Sequence, residues 1–216
     1  SIEDAFIKDN GLTWDSRDPL LLRRNSNALV GPPWLAHLTA MDYLEHCYIS
    51  KEIFEEYYKF TVVRDPYYRV ASIYNYLGYN CALSFDEFIK KIVVKETVSG
   101  AEKFYFFRPQ MDFIVNKDGV IQVDDVFRLE DINGAQRVIL EKANLSVREF
   151  EHVNKSRERG FFSSLKRRYE YASKGHISFR FSSKISWSPE SRDIINSIYR
   201  RDFDGLGYAI WERENA

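Results

Sequence analysis

The chain has 216 residues, 44% hydrophobic and 29% charged, which suits an ordinary globular protein with a sizeable core. A formal net charge of −1 argues against a chain-wide nucleic-acid surface. Two cysteines, Cys47 and Cys81, make neither a disulfide framework nor a zinc site, and no apolar run approaches membrane-spanning length.

In chain order, "SIEDAFIKDNGL" reads as a helix with Ser1 as N-cap, Glu3 and Asp4 in its first turn and Gly11 at its stop. A chain seldom starts on an N-cap, so upstream sequence is expected, and no signal-peptide pattern opens at Ser1. Thr13 to Trp34 is punctuated by Pro and Gly and predicts loop with a short strand. "LTAMDYLEHCY" and "SKEIFEEYY" predict helices, the second capped by Ser50. "KFTVV" is a short buried strand, and "PYYRVASIYNYL" a helix. "SFDEFIKKIVVK" is another helix, with Ser84 and Glu87 as a capping box. "VIQVDDVFRLEDI" predicts a strand pair, or one strand broken at Asp124-Asp125, and "INGAQRVILEKAN" a helix. A last helix starts at Pro189 and closes near Gly205. This alternation predicts an α/β fold of three layers, a mainly parallel sheet flanked by helices, in a single domain over 1–216.

The most specific stretch is "FTVVRDPYYRVASIY". An apolar β-branched run stops at Arg64; Asp65 is a good N-cap, and Pro66 suits the first helical position. Ligands of open α/β sheets sit beyond the carboxyl ends of strands, where helix N-termini offer unpaired N–H groups to phosphate or sulfate. Arg64 lies at that junction and suits a bidentate contact to an oxyanion. Val70, Ile73, Tyr74 and Leu77 form the apolar stripe that should pack on the sheet, while Asp65, Arg69, Ser72 and Tyr76 form another. The plainer reading is an Asp65–Arg69 surface pair with Ser72 a neutral surface residue. Farther along, Arg148 to Arg201 holds 13 Lys/Arg against 6 Asp/Glu, a basic segment that suits either an anionic ligand or solvated helix faces.

The Arg64 stretch resembles the 3′-phosphate-binding motif of the sulfotransferases that use 3′-phosphoadenosine 5′-phosphosulfate (PAPS), especially the carbohydrate group with the heparan sulfate 2-O- and chondroitin sulfotransferases and their bacterial relatives. Other landmarks follow in family order: "HLTAMDYL", "FRPQMDFI", "VFRLEDI", "HVNKS" and "IYRRDFDGLGY". The resemblance implies a P-loop-like sulfotransferase fold, PAPS as sulfuryl donor, no metal, and Arg64 and Ser72 on the donor's 3′-phosphate. It implies a hydroxyl acceptor, a glycan or glycolipid, with His37 as the base that takes its proton. Lys155 and Ser156 would add contacts to the nucleotide phosphate, and Tyr57, Tyr58, Tyr67 and Tyr68 are candidates for lining the site. One departure stands out: the family's 5′-phosphosulfate loop, a Pro-Lys-x-x-x-Thr-Ser-like run, does not occur in these residues. Its final serine would coincide with Ser1, so the numbered chain is expected to begin after the first strand and this loop. Without a lumenal anchor or disulfide pattern, a bacterial cytoplasmic enzyme is expected rather than a Golgi lumenal fragment.

Two rival classes are a P-loop kinase, which the absence of G-x-x-x-x-G-K-[ST] opposes, and a non-catalytic nucleotide- or glycan-binding module.

Overall fold

A computed structural model gives the fold and describes residues 2–98, 101, 103–147, 149–150, 169, 171, 173, 175 and 184–211. Helix α1 (Ile2–Asp9) is followed by a loop with three 3-10 turns, then by α2 (Ala40–Glu45) and α3 (Lys51–Glu56). Strand β1 (Phe60–Val63) leads to α4 (Pro66–Leu77). Helix α5 (Phe85–Glu87) runs through a π-helical segment (Phe88–Val93) into α6 (Val94–Glu96). Short helices α7 (Phe104–Phe107) and α8 (Met111–Ile114) precede β2 (Asp125–Arg128) and α9 (Ile132–Lys142). Helices α10 (Pro189–Ile198) and α11 (Arg200–Leu206) come last.

The chain divides into two compact units, Ser1–Arg64 with Gln110–Lys155, and Asp65–Pro109 with Ser156–Ala216. In the first, β1 and β2 pair in parallel with Phe60 opposite Asp125 and Val63 opposite Arg128. Phe60 meets Phe6 of α1 and Phe127 of β2, each at 6.3 Å between ring centres. Ile7, Ile139 and the sheet residue Val63 are all buried. The described residues hold this two-stranded sheet only, a smaller parallel sheet than the alternation predicts. Two features reduce the count. The Thr13–Trp34 segment contributes a single bridge, Arg24 to Trp34, and 121 contributes another to 115, leaving β2 as the one true strand of its stretch.

The second unit is helical with an aromatic core. Tyr67, Val70, Ile73 and Tyr74 of α4 are buried with Phe85, Phe88, Phe107, Tyr199 and Phe203. The apolar stripe of α4 is thus the expected one, but helices and aromatic rings cover it. The Ser84–Glu87 capping box forms as predicted. The last helix differs from its prediction: it breaks at Tyr199, whose φ of −104° and ψ of 23° leave the helical region, and it closes at Gly207, which takes φ +66°. Tyr199 is fully buried and donates its hydroxyl to the Phe107 carbonyl at 2.8 Å.

Candidate active site

The first unit presents Arg64 at the carboxyl end of β1. Its backbone is held by a side-chain amide 46 residues away. Arg64 N donates to Gln110 Oε1 at 2.8 Å, and Gln110 Nε2 donates to Arg64 O at 2.7 Å. Gln110 is 9% exposed, so this double bond satisfies two backbone groups where the ladder ends. The guanidinium is treated differently. Arg64 is half-buried, and its side chain makes no hydrogen bond, ion pair or ring contact among the described residues. A fixed main chain with an uncommitted planar cation suits capture of an oxyanion through two parallel N–H bonds.

In the second unit, Asp65 caps α4, its carboxylate accepting from Tyr67 N at 2.8 Å and Tyr68 N at 3.3 Å. Pro66 has no N–H to offer. The expectation of unpaired backbone donors at this helix start is therefore corrected, because the cap already occupies them. An anion in this motif must be met by side chains. Ser72 is exposed, and its hydroxyl makes no hydrogen bond among the described residues.

The proposed Asp65–Arg69 surface pair is also overturned. Arg69 turns inward, donating Nη2 to the Phe106 carbonyl at 3.1 Å with its guanidinium carbon 5.8 Å from the Tyr199 ring centre. Its Nη1 is buried without a hydrogen-bond partner among the described residues. Tyr67 is a core residue and not a site-lining one. It is fully buried, stacks on Trp211 at 4.2 Å, donates its hydroxyl to Asn196 and accepts from Trp211 N at 2.9 Å. Tyr58 spends its hydroxyl on Asp125 at 2.7 Å, while Tyr57 and Tyr68 are exposed.

His37 ends the 3-10 turn Leu35–His37, which its N–H closes on the Trp34 carbonyl at 3.0 Å. The ring is half-buried, and burial pushes its pKa below the ordinary imidazole value. It is therefore neutral near pH 7, the state a proton acceptor needs. Immediately after it, a capping box starts α2: Asp42 N donates to Thr39 Oγ1 at 3.0 Å, and Thr39 N to Asp42 Oδ2 at 2.8 Å. His46 is half-buried, its Nε2 3.7 Å from Oδ1 of Asp42. No hydrogen bond or ion pair joins His37 to Arg64 among the described residues. Ser1, Lys155 and Ser156 lie outside the described residues. Gln110 is the residue whose role sequence reading did not assign; the Pro-Gln landmark in "FRPQMDFI" is the only sign of it.

Arg64 thus stands at the end of a parallel strand, and an Asp-Pro helix start follows it in the chain. The family model described as the sulfotransferase family matches residues 36–209, and the chain belongs to that family. The match opens one residue before His37 and closes one residue after the Gly207-Tyr208 landmark. No curated protein and no solved structure matches the chain. Sulfuryl transfer is accordingly its general chemistry. No helix among the described residues is long and apolar enough to cross a membrane.

Proposed function

We propose that this sulfotransferase takes its sulfuryl group from PAPS and passes it to a sugar hydroxyl, on a P-loop-like, three-layer α/β fold. The observation that carries the donor assignment is the state of Arg64: clamped through its backbone by Gln110, without a guanidinium partner among the described residues, and placed at the end of β1. The arginine takes two oxygens of the 3′-phosphate, and Ser72 adds a hydroxyl donor from α4. Lys155 and Ser156 contribute further contacts to the nucleotide, and Ser1 stands where the 5′-phosphosulfate loop would end. PAPS supplies the activated sulfuryl group; the protein supplies position and charge, as in phosphoryl transfer. His37 holds the proton that the acceptor hydroxyl gives up as its oxygen bonds to sulfur and the sulfur–phosphate oxygen bond breaks. Its half-buried, neutral ring supports that role.

Calorimetry with adenosine 3′,5′-bisphosphate tests the donor assignment. Arg64→Ala should lose about 1.5–3 kcal/mol of binding, the scale of a charge-assisted contact. Its melting temperature should stay close to wild type, because the guanidinium makes no hydrogen bond or ion pair among the described residues. Unchanged affinity in the folded variant overturns the assignment.

A further inference from the structure

The loop that leads to His37 carries a second, unused set of cations. Arg24 and Trp34 face each other across an antiparallel bridge, with the guanidinium carbon 5.3 Å from the indole centre. Trp34 is 38% exposed, Arg23 and Arg24 are exposed, and neither arginine makes an ion pair among the described residues. In a chain of net charge −1, two adjacent exposed arginines that make no ion pair among the described residues form a local positive patch.

The loop holding them is built firmly. Asn25 N donates to Pro33 O at 2.9 Å, Leu35 N to Arg23 O at 3.0 Å, and Tyr48 OH to Val30 O at 2.7 Å. Gly31 takes φ +119°, and a Cβ there would lie 3.1 Å from Leu38 Cδ2, so the loop seats closely on the start of α2. It is also tied to the catalytic candidate, since the Trp34 carbonyl accepts the His37 N–H at 3.0 Å. A stacked guanidinium keeps its N–H edge available for an anion, and an indole offers a flat apolar face to a sugar ring.

We propose that Arg24 and Trp34, with Arg23 beside them, form an acceptor subsite for an anionic pyranose, the ring against the indole and its carboxylate or sulfate on the guanidinium. This rests on reading the chain as a sulfotransferase of sugars, and it assigns acceptor selectivity to residues outside the nucleotide motif. The rigid loop delivers the bound sugar toward the turn that carries His37.

Binding of three hexasaccharides to the full chain tests it: hyaluronan, which carries carboxylates only; a sulfated chondroitin; and neutral chitohexaose. Wild type should prefer one or both anionic sugars by about tenfold or more, and the preferred one names the anion. Arg24→Ala and Trp34→Ala should erase that preference, and Arg24→Lys should restore only part of it, keeping charge without the planar stack. Melting curves accompany each variant. Equal affinity for neutral and anionic sugars, no binding of any hexasaccharide, or an undiminished preference in folded Arg24→Ala overturns the inference. So does a pair that lowers only the melting temperature. Adenosine 3′,5′-bisphosphate is titrated in parallel. If it binds while the sugar preference is absent, the subsite alone is wrong. If it fails to bind while the preference persists, the donor reading is wrong and the anionic-sugar subsite stands.

Discussion

Arg64 and Arg69 belong to one motif, five residues apart, and the fold uses them in opposite ways. Arg64 has its main chain clamped and its charge, among the described residues, left open at the end of β1. Arg69 buries its charge in an aromatic surround, with one bond to Phe106 O and the Tyr199 ring beneath. The closed arrangement recurs around Arg69. The aromatic unit pairs its heads internally, as Tyr67, Tyr74 and Tyr199 each show with a described hydrogen bond. Open heads are free to meet substrate; closed heads hold the fold. Substitutions should therefore divide into those that cost turnover or binding and those that cost stability.

The largest effect expected on turnover is at His37. With a suitable sugar acceptor and PAPS, His37→Ala should lower turnover by about 10²–10⁴, the usual contribution of a positioned base, with nucleotide affinity kept. Burial lowers the folded-state pKa, so the acid limb of kcat/KM should lie below the ordinary imidazole range and vanish in the variant. The stability consequence has a definite sign. Above about pH 6.5 both states are neutral at His37 and nothing is lost. As pH falls from there toward the lowered folded value, the unfolded chain takes up the proton first and stability declines; His37→Ala should remove that portion of the decline. A melting loss that parallels the activity loss at pH 7.5 would make His37 a structural residue, and an exposed carboxylate such as Glu45 or Glu130 would be tested next as the base.

On the closed side, Tyr67→Ala removes a fully buried ring stacked on Trp211 and should cost about 3–5 kcal/mol of stability. Arg69→Ala should cost less, about 1–3 kcal/mol, for one charged hydrogen bond and a ring contact, reduced by relief of its buried, unpaired Nη1. Urea melts of both, with adenosine 3′,5′-bisphosphate titrations on the folded fraction, sharpen the contrast. If folded Arg69→Ala loses nucleotide affinity as Arg64→Ala does, the two arginines are not opposites.

What sequence made legible was local. The end of β1 at Val63, the Asp65 cap, Pro66 at the first turn and the Ser84–Glu87 box each depend on residues within one turn, and all four are present. What it hid was long-range. Gln110 reaches Arg64 across 46 residues, and no local pattern says that an amide will replace a ladder partner. Arg69 has the spacing of a surface ion pair with Asp65, yet Asp65 is spent on two N–H groups and the Tyr199 ring, 130 residues on, offers the arginine a berth. Tyr67 and Tyr68 look equivalent beside the motif, and burial alone separates them, one fully covered and the other 54% exposed. The candidate site was legible as a list of side chains; which of them the fold leaves open was not.

The smallest effect is the most discriminating, and it concerns Ser72. The residue is exposed on α4, so Ser72→Ala should leave the melting temperature unchanged and even favour the helix slightly. If its hydroxyl donates to the 3′-phosphate, the loss should be about 0.5–1.5 kcal/mol, somewhat more if the bond to the charged oxygen is short. That loss should appear with adenosine 3′,5′-bisphosphate and not with 5′-AMP, which lacks the group being met. Arg64→Ala should follow the same pattern with a larger amplitude. A double-mutant cycle of the two then asks whether they share one phosphate, because residues that hold the same group couple and independent ones add. Equal losses for both nucleotides would place Ser72 elsewhere on the ligand. No loss for either would return it to the plain surface role that its spacing also allows, and the open side of the comparison would then rest on Arg64 alone.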